Sequence, residues 1–345
     1  MNTSIATTFE IQLPASFIGR AGKLSDSLIA LDLINAYSRF TNGRDRFNDP
    51  ELIRLDWLST GFRPEADLHM VFSPDGNLAG FCETWLIKQP PVHPWTSIFV
   101  HPHHLENGIW EYLLAWAENH SRPALARVPA DLRVSIMTGT EHNNLAGIRA
   151  IQRLGWGYLR SSYHMLATLD SAPEVPSTPA GIQIRRFDPA TETEAVYHAN
   201  VDAFRDHWGF VEQPFELGFE EFKHGLIDAP GYDPNYWFVA MDGKEIAGIC
   251  LCQPVSYDDN ECGWVNELGV LRPWRNRGLG FILLKKAFAA FYARGQKRAG
   301  LGVDASSLTG AVRLYERAGM KVDRQFDQFE KELRSGSEIM TQELS

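Results

Sequence analysis

The feature that most restricts what this chain can fold into is a repeat inside it. DGNLAG at residues 75–80 returns as DGKEIAG at 242–248, and each Asp-Gly pair stands between alternating apolar runs, the pattern of a β-hairpin. Farther on, WTSIFV (95–100) and VNELGV (265–270) read as strands; aligned on Val100 and Val270, Gly108 falls on Gly278. AIQRLGW (150–156) then matches LYERAGM (314–320), the first copy carrying extra residues around 122–131, where a loop insertion is cheap. Helices, hairpin, strand, turn, helix, strand, helix, stated twice, account for nearly the whole chain. Strands alternating with helices predict an α/β fold with a mixed sheet in each copy.

The proline-rich SAPEVPSTPAG (171–181) has linker composition, and the expected division is a first domain over 1–168, a linker over 169–181, a second domain over 182–335 and a disordered tail over 336–345. A length of 345 residues allows each domain its own core. With 33 basic against 43 acidic residues, net −10, the chain lacks the cationic excess of a nucleic-acid coat. Cys82, Cys250, Cys252 and Cys262 have no CxxC spacing, which predicts reduced, buried thiols in a cytoplasmic protein. The N-terminus shows no basic region before an apolar run, and no stretch approaches the ~18 apolar residues of a membrane span.

Residues 265–280, VNELGVLRPWRNRGLG, run a buried strand through a glycine-bearing turn into a helix with Leu279, Ile282, Leu283, Ala287 and Phe291 on one stripe. The turn Arg275-Asn276-Arg277-Gly278-Leu279-Gly280 places backbone N–H groups at a helix N-terminus where no Cβ of Gly278 or Gly280 obstructs them, a phosphate-binding arrangement. Glu267 faces away from Leu268 and Val270 by strand alternation, so its carboxylate either points into a cleft or is a costly buried charge. Residues 303–320, VDASSLTGAVRLYERAGM, read as a strand, a polar loop and a second helix ending at Gly319.

Strand, RxxGxG turn, helix, strand and a helix ending LYERAG together resemble the acetyl-CoA-binding core of the GNAT acetyltransferase superfamily. The two copies resemble its tandem-domain members, and AFRDHWG (203–209) is similar to the second domain of mycothiol-synthase-like proteins. The resemblance implies two tandem acyl-CoA N-acyltransferase domains and transfer of acetyl from acetyl-CoA to a small-molecule or peptide amine, without a metal. By the same resemblance Leu268, Gly269 and Val270 pair with the pantetheine arm, the amides of Arg275, Asn276, Arg277, Gly278, Leu279 and Gly280 hold the pyrophosphate, Glu267 takes the amine proton and Tyr315 protonates the departing thiolate. Many relatives have asparagine before the last helix; here the position is Leu308 or Ser307, and of these serine can cap the helix and contact CoA. A non-catalytic acyl-CoA sensor is the alternative reading.

The first copy departs from this pattern. Leu105, Asn107, Trp110, Ser97 and Ile151 stand where the second has Arg275, Arg277, Gly280, Glu267 and Tyr315. The first domain is therefore expected to be inactive and to bind CoA poorly or not at all. Asp206, His207 and Trp208 could line the acceptor site, as could Tyr232, Tyr236 and Trp237, although packing explains either group. His93, His101, His103 and His104 lack acidic or cysteine partners at metal-ligand spacing.

Overall fold

The computed structural model describes residues 11–47, 49, 51–307 and 310–342. The chain forms two compact units, Met1–Leu159 with Asp327–Glu338 and Arg160–Phe326 with Ile339–Ser345. The first opens with β1 (Ile18–Ala21), α1 (Ser27–Asn42), α2 (Glu51–Asp56) and α3 (Pro64–Asp67). β2 (Leu68–Phe72) and β3 (Leu78–Trp85) form the hairpin encoded by Asp75-Gly76, and Gly76 takes the positive φ of 83° that a Cβ would oppose. β4 (Trp95–Val100), α4 (Ile109–Ser121), β5 (Val134–Glu141) and α5 (Leu145–Arg153) follow, with Gly155 at φ 78° ending the helix.

Next come β6 (Gly157–Thr168), β7 (Ile182–Arg186), α6 (Thr193–Phe204) and α7 (Phe215–Phe222). The second hairpin is β8 (Trp237–Asp242) and β9 (Glu245–Gln253), followed by β10 (Cys262–Val270), α8 (Leu279–Arg294), β11 (Arg298–Asp304), α9 (Ala311–Arg317) and β12 (Lys321–Arg334). In the first unit the strand order is β1-β2-β3-β4-β5-β12; in the second it is β12-β6-β11-β10-β9-β8-β7. Both arrays are mixed: β4 is parallel to β5 and β10 to β11, and the hairpin strands are antiparallel.

These memberships place residues 160–168 with the second unit and 327–338 with the first. Residues 336–342, read from the sequence as tail, are held by pairing. Ser337 exchanges backbone bonds with Asp131 and Arg133, Glu338 meets His93 at 2.9 Å, and Thr341 pairs with Gly209 and Phe210.

Strand alternation sorts the second unit's core onto two faces. Cys250 and Cys252 join Leu283, Phe288 and Phe291 beneath α8, whereas Ile249 and Leu251 join Val196 and Phe222 beneath α6 and α7. Each fully buried phenylalanine contributes about 2–3 kcal/mol of transfer free energy. The first unit packs Leu33, Trp57, Phe81 and Leu113 into one cluster. All four cysteines are free and buried. Among the described residues no helix is long and apolar enough to cross a membrane.

Candidate active site

The site begins with an interruption in a strand. β10 pairs with β9 throughout, but the register slips between Val265 and Glu267, so Asn266 is an extra residue in a β-bulge. β10 pairs with β11 only as far as Val265↔Leu301, after which β11 continues beside β6 as far as Asp304↔Ser162. The two strands thus part beyond the bulge. One edge of Leu268, Gly269 and Val270 is left without a strand partner, which suits an extended ligand that adds backbone-like hydrogen bonds. A cavity of about 660 Å³ occupies the gap, walled by those three residues, by Gly302 and Asp304 across from them, and by Tyr315.

At the end of β10 a short 3-10 turn, Arg272–Trp274, leads into the glycine turn. Asn276 has φ 62° and Gly278 φ 78°, and Gly278 is the N-cap of α8 without a side-chain cap, so the first amides of the helix remain open to a ligand. Gly280 is tightly enclosed, for a Cβ there would stand 3.3 Å from Leu314. Asn276, Gly278, Leu279 and Gly280 line the cavity, while Arg277 is exposed and off its wall.

Arg275 lines the cavity but spends its charge elsewhere. Its Nε donates to the Val270 carbonyl at 2.9 Å and its Nη2 to the Ala203 carbonyl at 3.0 Å, and both Nη atoms bond Asp206. Arg272 adds a bond to Asp206 at 3.3 Å. Asp206, expected on the acceptor wall, is instead 3% exposed and turned toward these arginines. Burial alone would raise its carboxyl pKa, but the bonds and charges of Arg275 and Arg272 outweigh that and hold it below the ordinary range. The physical reason is that a carboxylate this buried must be paired. His207 and Trp208 do line the cavity. Burial lowers the His207 pKa against the opposing charges of Asp206 and Asp304. Over Trp208 the Arg160 guanidinium lies 3.8 Å from the ring centroid while bonding Asp304 at 2.8 Å.

Glu267 pairs across the strand with Leu251 and so shares the α6 face of the sheet. Burial pushes its carboxyl up to about 7, and no ion pair within the described residues relieves it. Tyr315 is 7% exposed on α9. Its phenol is driven above the ordinary range by burial, then by Cys250 and Glu267, so the tyrosine is a proton donor at neutral pH and lies within electrostatic reach of the glutamate. Ser307 lines the cavity and its Oγ accepts from the Ala311 amide at 3.5 Å; Leu308 lies outside the described residues.

Sequence reading missed Asn266, Asp304, Arg313 and Arg317, which also wall the cavity. The adjacent polar residues Asn266 and Glu267 interrupt the apolar run of CGWVNELGV, but nothing local marks Asn266 as the bulge. The Asn266 side-chain NH2 is buried without a partner within the described residues, leaving a donor at the cavity wall. Trp237, by contrast, is 1% exposed and packs against Tyr232 and Phe187, so that loop belongs to the core rather than to the cavity.

The first unit keeps the glycine cap and the parting of its strands, since β4 pairs with β5 only at Trp95↔Met137 and Thr96↔Thr138, but it lacks the bulge and the glycine at the place of Gly280. Pro102–His104 forms the same 3-10 turn and Gly108, φ 77°, caps α4. Trp110, where the second copy has Gly280, is fully buried with Cζ2 3.0 Å from a Cβ on Gly147. Asn144 bonds Thr140 and Tyr37 at 2.8 and 3.1 Å, and Tyr37 bonds Thr140 at 2.8 Å. Among the histidines, His93 is bonded to Ser135 and Glu338, while His101, His103 and His104 cluster at the turn.

Residues 193–320 match the model of the acetyltransferase (GNAT) family. A mycothiol acetyltransferase of Streptomyces scabiei is 27% identical over 73% of this chain and 75% of its own length. The crystal structure of a GCN5-related N-acetyltransferase from Sphaerobacter thermophilus is 30% identical, with a TM-score of 0.78 over 95% of this chain and 99% of that one. A tandem GNAT protein from the clavulanic acid biosynthesis pathway shares the fold at 14% identity, TM-score 0.62, over 93% of this chain and 99% of that one. The chain belongs to the GNAT family of GCN5-related N-acetyltransferases. It is an acyltransferase of mixed α/β fold, and the parted strands and open turn lie within the residues that match the family.

Proposed function

We propose that the second unit transfers acetyl from acetyl-CoA to a primary amine, by direct attack while both substrates are bound. The observation that carries this reading is the parting of β10 from β11, which sets an open strand edge, an uncapped helix N-terminus and Tyr315 around one cavity. The free edge of Leu268 to Val270 suits the pantetheine amides, and the open amides from Asn276 to Gly280 suit the diphosphate. Glu267, with its pKa near 7, accepts a proton from the acceptor ammonium. The freed nitrogen attacks the thioester carbonyl, whose oxygen a backbone N–H near Val270 polarises. As the C–S bond breaks, the sulfur takes the Tyr315 phenolic proton and the nitrogen gives its second proton to the resulting phenolate through water, leaving the neutral acetamide and free CoA; Glu267 then releases its proton to solvent.

The first unit is a structural partner in this reading, because a buried Trp110 stands in place of Gly280 and the Tyr37–Thr140–Asn144 bonds tie the start of α5 to α1. Four unoxidised, buried cysteines are consistent with work in the cytoplasm. The acceptor is a small-molecule or peptide amine; since a relative is named for mycothiol, the unacetylated form of mycothiol leads the test panel. Colorimetric detection of free CoA thiol should show amine-dependent release. Binding of acetyl-CoA with no release on any amine of the panel would replace the enzyme reading with that of an acyl-CoA sensor.

A further inference from the structure

The internal repeat carries a comparison that neither copy offers alone. Aligned on the α5 and α9 motifs, Arg149 and Arg153 of the first copy correspond to Arg313 and Arg317 of the second. In the first unit both are closed by carboxylates, Arg149 to Glu106 at 2.8 Å and Arg153 to Glu111 at 2.9 Å. Aligned on Gly108 and Gly278, the positions of Glu106 and Glu111 are held in the second copy by Asn276 and Phe281. Both carboxylates are thus absent where the turn is open. Among the described residues neither Arg313 nor Arg317 forms an ion pair, and Arg317 lies over the Phe281 ring at 4.5 Å instead.

All four of these second-copy residues line the cavity. Arg313 and Arg317 stand one helical turn apart on the same side of α9, an arrangement of like charges that is unfavourable unless an anion lies between or beside them. α9 in turn abuts the first turn of α8, since a Cβ on Gly280 would stand 3.3 Å from Leu314. Of the two arginines in the turn, Arg275 is already neutralised by Asp206 and Arg277 lies off the cavity wall.

We propose that Arg313 and Arg317 form a second anion subsite, separate from the turn amides, which takes a phosphate monoester beside an aromatic plane and so reads the 3′-phosphate on the adenosine of the donor. The inference rests on the donor being a CoA thioester. The chemistry favours such a subsite: at neutral pH a phosphate monoester carries roughly −1.5 to −2 charge in addition to the diphosphate, and open amides suit only one of the two groups. Guanidinium groups meet a monoester with paired, charge-assisted hydrogen bonds.

The test compares CoA with 3′-dephospho-CoA by calorimetric titration of the full-length protein. The native chain should prefer CoA by roughly tenfold or more, the scale of a charge-assisted pair. Arg313→Gln with Arg317→Gln should erase that preference while dephospho-CoA binding stays within about twofold, which also reports an intact fold. Phe281→Glu, which gives α8 the first copy's carboxylate, should lower CoA affinity while sparing dephospho-CoA. Equal affinity of the native chain for both ligands would overturn the inference and leave the donor reading standing. So would an equal weakening of both ligands in the arginine variant, which would assign the pair to the diphosphate. Binding of neither ligand would remove the donor reading and this inference with it.

Discussion

Replacing Glu267 by glutamine should make the protein more stable and less active, and the structure sets the size of both effects. The carboxyl is raised from 4.5 to about 7 by burial, with no cation to offset it. A native pKa above the unfolded value means that ionisation opposes folding: the cost is absent below pH 4.5, grows as pH rises, and is complete above pH 7. That interval corresponds to about 3 kcal/mol. Glu267→Gln removes the charge, so its unfolding midpoint should exceed the native one by roughly 6 °C or more at pH 8.5 and match it at pH 4.5. Thermal unfolding followed across that pH range measures the difference. In parallel, native kcat/KM for the amine should rise with pH through an inflection near 7, where the base becomes ionised, and the variant should lose that inflection along with roughly 10²–10⁴-fold in rate. A stability difference that is flat with pH would refute the argument, since it would show that the carboxylate is not desolvated in the native state.

Tyr315→Phe should lower kcat by at least roughly a hundredfold while changing acetyl-CoA affinity little, in keeping with a group that acts on the leaving sulfur; equal turnover would remove it from the mechanism. Asp206→Ala should destabilise the second unit by about 3 kcal/mol, because the partly buried Arg275 loses its counter-charge, and should weaken acetyl-CoA binding by loosening the turn. Since the Asp206 carboxyl is held low, the stability it contributes is present above the ordinary carboxylate range and lost only in stronger acid, so the variant should show a shallower acid transition in circular dichroism. Titration of the native chain should give one CoA bound per chain. Trp110→Ala should leave that number unchanged while costing about 3–5 kcal/mol of first-unit stability, read from denaturant unfolding.

Much of the architecture was legible because local signals agreed with one another. WTSIFV is β4 in full, the Asp-Gly pairs turn both hairpins, and Gly278 is the positive-φ cap of α8. What escaped was whatever depends on partners distant in sequence. β6 and β12 carry polar side chains along most of their length, so alternation did not mark GYLRSSYHMLAT or KVDRQFDQFEKELR as strands. The bulge at Asn266 is a fact of pairing with β9, and no local pattern records that the register slips. Arg275 shows the same limit at the site. Its place in RxxGxG pointed to the ligand, but the carbonyls of Val270 and Ala203 and the carboxylate of Asp206 claim its guanidinium, and two of those acceptors come from residues some seventy positions away. Arg313 and Arg317 were present in the motif that identified the helix, and only the folded structure shows that neither forms an ion pair among the described residues, whereas their counterparts Arg149 and Arg153 do.

The membership of residues 327–338 in the first unit bears on how the protein is made. An N-terminal unit ordinarily folds while the rest of the chain is still being translated. Here the array β1-β2-β3-β4-β5 receives its last strand, and the Arg133–Glu330 and His93–Glu338 pairs, from the final tenth of the sequence. The unit that begins first is therefore the one that must wait, with the edge of β5 unpaired until residues 160–326 have been made. A stop codon or frameshift between residues 321 and 327 would accordingly injure the first unit while leaving every residue that lines the cavity translated.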